Sequence, residues 1–164
     1  LNRDRPIASV LWQGSSRSEQ PDRTDGLHSL ITTPLIIGDY IYGVGSYGEL
    51  RGLDARTGKR LWMSDQMTVQ ERWGAAFLVR HRDRYFVNND QGDLIIAQFT
   101  PEGYVELDRT RLIEADGSSG ASIRSRPDRY ERSINWSHPA YANKHIVHRN
   151  NNEIIRASLD MHDY

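Results

Sequence analysis

Hydrophobic and polar residues alternate along this chain in short runs, and clusters of Gly, Asn and Asp interrupt them. Residues 32–54, "TTPLIIGDYIYGVGSYGELRGLD", hold an apolar run, a Gly-Asp turn and an alternating aromatic stretch, then a Gly-containing turn and a second alternating stretch. Period-two alternation bounded by turn residues predicts half-buried strands. Strands joined this tightly must be antiparallel neighbours. The same order recurs in residues 74–99, "GAAFLVRHRDRYFVNNDQGDLIIAQF", with turns at Arg82-Asp83 and at residues 89–92. It recurs again in residues 137–160, "SHPAYANKHIVHRNNNEIIRASLD", turning at Asn143-Lys144 and at residues 150–152. No stretch carries a helical period.

The spacing makes this a repeat. Leu50 and Leu94 hold equivalent places 44 residues apart, within the ~40–50 residues of a propeller blade. Leu94 and Ile154 are 60 apart, so the second linker carries an insertion. Residues 114–136 supply it, Gly/Ser-rich at first and charged afterwards, and are expected to be a loop. Fourth strands are predicted at "KRLWMS", after Thr57-Gly58, and at "YVELDRTRLI", after Pro101-Glu102-Gly103. "IASVLWQ", residues 7–13, is expected to be the last strand of a preceding unit.

Four antiparallel strands per unit, repeated, predict an all-β chain of β-propeller blades. Residues 1–164 are read as a single partial propeller segment. Its blades are expected at residues 32–64, at 74–113 and, incomplete, at 137–160. About three blades are too few to close a ring of roughly 4–8. The chain opens Leu-Asn-Arg-Asp, with neither Met nor a signal-peptide pattern, and is read as a processed chain or a fragment.

Composition narrows the function classes. A net charge of −1 lacks the basic excess expected of a nucleic-acid binder or an anionic-membrane binder. The chain has no Cys, so disulfides, zinc thiolates and Cys nucleophiles are excluded. No apolar run reaches the ~20 residues of a membrane span. His145 and His148 stand three apart on a predicted strand, which aims them to opposite sides and argues against chelation.

"GLDARTGKRLW", residues 52–62, resembles the tryptophan-docking repeat of the pyrroloquinoline-quinone-type (quinoprotein-like) propellers, roughly A-x-D-x-x-T-G-K-x-x-W. Gly52 stands at the small-residue position and is followed by Asp54, Thr57, Gly58, Lys59 and Trp62. The resemblance implies that Trp62 packs onto the neighbouring blade and that Thr57-Gly58 turns between the two outer strands. The second unit departs from the motif, with Gln98, Gly103 and Leu107 at comparable places.

The family contains quinone-dependent dehydrogenases as well as cofactor-free assembly propellers. The resemblance therefore implies a non-catalytic binding or assembly scaffold in a periplasmic or extracellular bacterial setting. It leaves open the alternative of part of a pyrroloquinoline-quinone- and calcium-dependent dehydrogenase with catalytic residues outside this segment. No residue here matches a catalytic motif, and none is nominated. Propeller geometry places the long linkers and the turns between second and third strands on one face. His28, Arg72, Trp73, Arg124, Arg126 and Trp136 in those linkers are the candidate binding residues for a protein partner or small ligand. The remaining blades of a propeller are further expected partners.

Overall fold

The computed structural model describes residues 8–118 and 132–160. Two four-stranded antiparallel sheets come first. One is β1 (Leu35–Ile37), β2 (Tyr40–Val44), β3 (Leu50–Asp54) and β4 (Arg60–Ser64). The next is β5 (Ala76–His81), β6 (Arg84–Asn89), β7 (Asp93–Thr100) and β8 (Gly103–Arg111). A two-residue pair, β9 (Gly117–Ser118) with β10 (Ser133–Ile134), precedes a three-stranded sheet. That sheet is β11 (Ala140–Ala142), β12 (His145–Arg149) and β13 (Ile154–Ser158). Strands follow one another in chain order within these sheets, the meander of a propeller blade.

Local chemistry sets the turns. Gly38 (φ 59°), Arg82 (φ 58°), and Asn143 with Lys144 (φ 49° and 60°) make the two-residue hairpins between first and second strands. Positive φ matches hairpin turns to strand twist, and Asn tolerates it. Each four-stranded sheet carries one irregularity between its third and fourth strands, at Gly52/Leu53 and at Ile96/Ala97. These places are equivalent in the repeat, so the outer strand is bent alike in both sheets.

The main core lies between the first two sheets. Tyr42, Val44 and Leu50 from one meet Leu78, Tyr85, Val87, Ile95 and Phe99 from the other, with Met67 of the linker among them. Each of the fully buried aliphatic side chains contributes about 1.5–3 kcal/mol. Tyr85 stacks on Phe99 at 4.2 Å, and Tyr42 sits 5.5 Å from Phe99. Burial, joined by the charges of its neighbours, pushes the Tyr42 hydroxyl up to about 12. The second and third sheets meet through Phe86 stacked on Tyr141 (5.3 Å) and Phe77 against His138 (4.7 Å). The Tyr141 hydroxyl also donates to Asn88 Oδ1.

Residues 8–13 depart from the strand expected there: they lie in no ladder among the described residues. A strand exists only through a partner for its backbone groups, and among the described residues none is beside this segment. Val10 and Leu11 remain 81% and 75% exposed.

Candidate functional site

The turn from Asp54 to Lys59 is organised by one carboxylate. Asp54 Oδ1 accepts from Arg56 N (3.0 Å), Thr57 N (2.8 Å) and Thr57 Oγ1 (2.8 Å). These bonds, led by the Thr57 hydroxyl, hold the Asp54 carboxyl below the usual carboxylate range. Gly58 takes φ 73°, and Lys59 N reaches Thr57 Oγ1 at 3.3 Å. The chain then enters β4, where the Trp62 indole lies flat over Gly52. A Cβ on Gly52 would stand 2.4 Å from that ring. Trp62 Nε1 donates to Thr100 O at the end of β7 (2.9 Å), and its ring sits 5.9 Å from Tyr42. Gly52 and Trp62 thus meet across β3 and β4, while Asp54, Thr57, Gly58 and Lys59 form the connecting turn. A second indole uses the same turn: Trp12 Nε1 donates to Ala55 O (2.9 Å), and its ring covers Gly58.

On the opposite edge, the turns between second and third strands of the first two sheets are each held between two linkers. Ser46 O accepts from Trp73 N (2.8 Å), Ser46 Oγ donates to Glu19 O (3.3 Å), and Tyr47 bridges to Gly74. Arg72 pairs with Glu19 at 2.7 Å and lies 4.8 Å over the Trp73 ring, a cation–π contact. Trp73 itself takes φ 72°, an uncommon conformation for a bulky residue.

In the second sheet, buried Asp90 accepts from Thr68 Oγ1 (2.6 Å), Ala75 N (3.0 Å) and Arg132 Nη2 (2.6 Å). Asn135 N reaches Asp90 O at 2.7 Å, and Arg132 also pairs with Glu71 at 2.9 Å. Burial alone would raise the Asp93 carboxyl, but Arg111 (2.7 Å), Asn89 (3.0 Å) and Arg109 (3.2 Å) outweigh it and hold it low. In the third sheet, Asp116 accepts from the backbone N–H groups of Asn151 and Asn152. The Asn150 side-chain oxygen accepts from Asn152 N (2.9 Å) and Glu153 N (2.8 Å), which closes the turn. Among the described residues, no three His, Cys, Asp or Glu side chains converge as a metal site.

The predicted binding residues divide accordingly. Arg72 and Trp73 come together beside Ser46 and Glu19. His28 lies elsewhere, bonded to buried Thr24 Oγ1 (3.1 Å), on a cavity of about 1100 Å³ against the first sheet. Ile36, Ile41, Leu53 and Met63 line that cavity too. Trp136 lines a separate cavity of about 320 Å³ with Asp116 and Arg149. Arg124 and Arg126 lie outside the described residues.

His145 is partly exposed and contacts Arg156 (2.9 Å), whereas His148 is 2% exposed with Nε2 3.0 Å from Ser137 O. The two imidazoles do not converge.

Alternation alone missed the buried pair of Glu49 and Arg51. Their carboxylate and guanidinium stand 3.1 Å apart with side chains 1% and 0% exposed. Arg51 also donates to the carbonyls of Thr24 (2.7 Å), Gly26 (2.6 Å) and Pro21 (3.2 Å), which fastens residues 21–26 to the first sheet. Gly45 leaves the room in which the Glu49 carboxylate folds back, since a Cβ there would lie 2.0 Å from it.

A family model described as "Outer membrane protein assembly factor BamB" matches residues 4–104. Outer membrane protein assembly factor BamB of Salmonella typhimurium is 30% identical over 99 residues, which cover 60% of this chain. The chain spans 23% of the length of that curated relative. Among solved structures, BamB from Moraxella catarrhalis aligns with a TM-score of 0.47 at 13% identity, over 81% of this chain and 32% of that one. The computationally designed Ika4 protein aligns with a TM-score of 0.49 at 9% identity, over 94% of this chain and 100% of that one.

Proposed function

The chain belongs to the repeat family of the outer membrane protein assembly factor BamB, and on that premise we propose that it is a non-catalytic propeller scaffold. In this reading it works outside the cytoplasm of a bacterium, where it holds a protein of the outer-membrane assembly process. It acts with no quinone and no calcium. The contact face is the one built from linkers and second-to-third-strand turns.

One observation carries the choice of face. In the first two sheets each such turn is fastened to two linkers, and the third turn is fastened to one, so neighbouring loops are hydrogen-bonded together rather than standing as separate tips. Loops tied in this way can present side chains with little ordering cost on binding. Arg72 and Trp73 are the anchors, because they are of the residue types that dominate interface energetics and are already held against each other. The Trp62 dock and the Asp54 turn are the parts that set sheet against sheet and keep this face in shape.

The test is photocrosslinking in a bacterial periplasm, with the reactive residue placed at position 73 or, at the opposite hairpin tip, at position 82. Position 73 should capture a component of outer-membrane protein assembly, and Arg72→Glu should reduce the yield roughly tenfold, the effect of losing one modest hot spot. Equal capture from both positions would refute the face. Stoichiometric binding of pyrroloquinoline quinone with calcium, accompanied by dye-linked alcohol oxidation, would refute the non-catalytic reading.

A further inference from the structure

The turn between second and third strands is built differently in the third sheet. Val44, Asn88 and Arg149 hold equivalent places just before it, paired with Leu50, Leu94 and Ile154. The first two places are uncharged, and the third carries a guanidinium. The segments enclosed by these pairs are residues 45–49, 89–93 and the shorter 150–153. The first two turns find a carboxylate among their own residues: Glu49 accepts from Tyr47 N (3.1 Å) and Asp93 from Asn89 Nδ2 (3.0 Å). The third turn takes its carboxylate from the linker instead, as Asp116.

Arg149 and Asp116 line one cavity of about 320 Å³ with Trp136, Ser137 and Asn151. That volume stands at the lower end of the roughly 300–1,000 Å³ of ligand pockets, so its guest is small. The two charged groups do not pair across it. Arg149 Nη1 donates to Asn150 O (3.1 Å), and its guanidinium meets no carboxylate among the described residues. Asp116 accepts from Asn151 N, Asn152 N and Asn152 Nδ2 (3.0, 3.1 and 2.6 Å). A carboxylate offers about four lone-pair sites, so roughly one is left for a further donor. The Trp136 indole N–H is buried and has no acceptor among the described residues, a state that folded proteins rarely leave without a use. The Ser137 hydroxyl and the Asn151 side-chain amide are likewise unbonded among the described residues.

We propose that this cavity binds a small carboxylic acid bearing a hydroxyl or ammonium group, its carboxylate on Arg149 and Trp136 and its donor group on Asp116. The groups left without partners are donors at one side and one acceptor site at the other, so the guest must offer acceptors and a donor in turn. A carboxylate laid between Arg149 and Trp136 matches the planar fork of the guanidinium and gives the indole N–H the acceptor it lacks. Asp116 does not expel such an anion, because three N–H groups already share its charge. Its remaining lone pair takes the hydroxyl or ammonium of the guest, and Ser137 and Asn151 supply further polar contacts. The site serves a small molecule and stands whether or not the Arg72 and Trp73 face holds a protein.

The chain has four Trp, so the indole N–H region of its proton–nitrogen NMR spectrum is simple enough to follow the Trp136 signal by itself. Four six-carbon compounds should be titrated: gluconate, norleucine, hexanoate, which lacks the donor group, and sorbitol, which lacks the carboxylate. Gluconate or norleucine should move the Trp136 indole signal saturably at millimolar concentration, and the tighter of the two tells hydroxyl from ammonium as the donor. Hexanoate should bind more weakly than that acid, and sorbitol should leave the signal in place. Arg149→Met should weaken the binding roughly tenfold or more, as loss of a charged hydrogen bond does. The Arg149 side chain is exposed, so the variant keeps the fold. Asp116→Asn should remove the advantage over hexanoate, and where that variant does not fold the comparison of acids in the wild type decides the same point. A Trp136 signal that no acid moves, a response to sorbitol equal to that of gluconate, or undiminished binding by Arg149→Met would each overturn the proposal.

Discussion

Replacing Gly52 by Ala should be costly while Trp62 is present and nearly harmless once it is gone. A Cβ at position 52 would lie 2.4 Å from the indole, well inside contact distance, and backbone on β3 leaves it nowhere to go. The indole cannot yield freely either, since its N–H is bonded to Thr100 O on the next sheet. Overpacking of this kind costs about 1–3 kcal/mol. Trp62→Ala alone removes the ring from between Gly52 and Tyr42 and strips Thr100 O of a donor. Full burial would make that worth about 3–5 kcal/mol, and since Trp62 keeps part of its ring in solvent, roughly 2–4 is expected. In the Trp62→Ala background the clash has no partner, so Gly52→Ala should cost less than about 0.5 kcal/mol or even stabilise through the stiffer unfolded chain. The assay is urea unfolding followed by far-UV circular dichroism on wild type, both single variants and the double variant. A shifted midpoint at constant slope reports stability. The cycle should return a coupling of about 1–3 kcal/mol. Additive single effects would refute the account, because they would mean that the ring does not rest on Gly52.

Three further outcomes follow from particular contacts. Arg51→Met leaves the buried Glu49 carboxylate without its cation and should destabilise by roughly 3–5 kcal/mol. Adding Glu49→Gln should recover part of that loss in the same urea assay, and no recovery would count against a charge origin. His148 should make the fold acid-sensitive: burial holds its imidazole below the ordinary value, so the unfolded chain takes the proton first. That share of stability is complete above about 6.5, the free imidazole value, and fades as pH falls from there toward the lower folded value. Melting temperatures of wild type and His148→Gln, measured from pH 8 to pH 5, should diverge in slope below neutrality; parallel curves would exclude His148 as the cause.

What could be read from the chain was whatever depends on near neighbours in sequence. Strand alternation, the hairpin turns at Gly38, Arg82 and Asn143-Lys144, and the repeat itself were legible because a turn is decided by the backbone freedom of two residues. Family membership followed from the same kind of signal, a motif compact enough that Asp54 bonds residues only two and three places along. Tertiary structure decided the rest, because the partners lie far apart in sequence. Alternation aims Arg51 off the core side of β3, and nothing local foretells that carbonyls from residues 21, 24 and 26 will close over it. Asp90 looked like an ordinary turn residue until Arg132 reached it from 42 positions away. Residues 8–13 have the composition of a strand, but a strand is a relation between two segments, and among the described residues they join no ladder. Sequence could name strand-forming pieces; only three dimensions show which of them have a neighbour, since a β-ladder is satisfied across space and not along the chain.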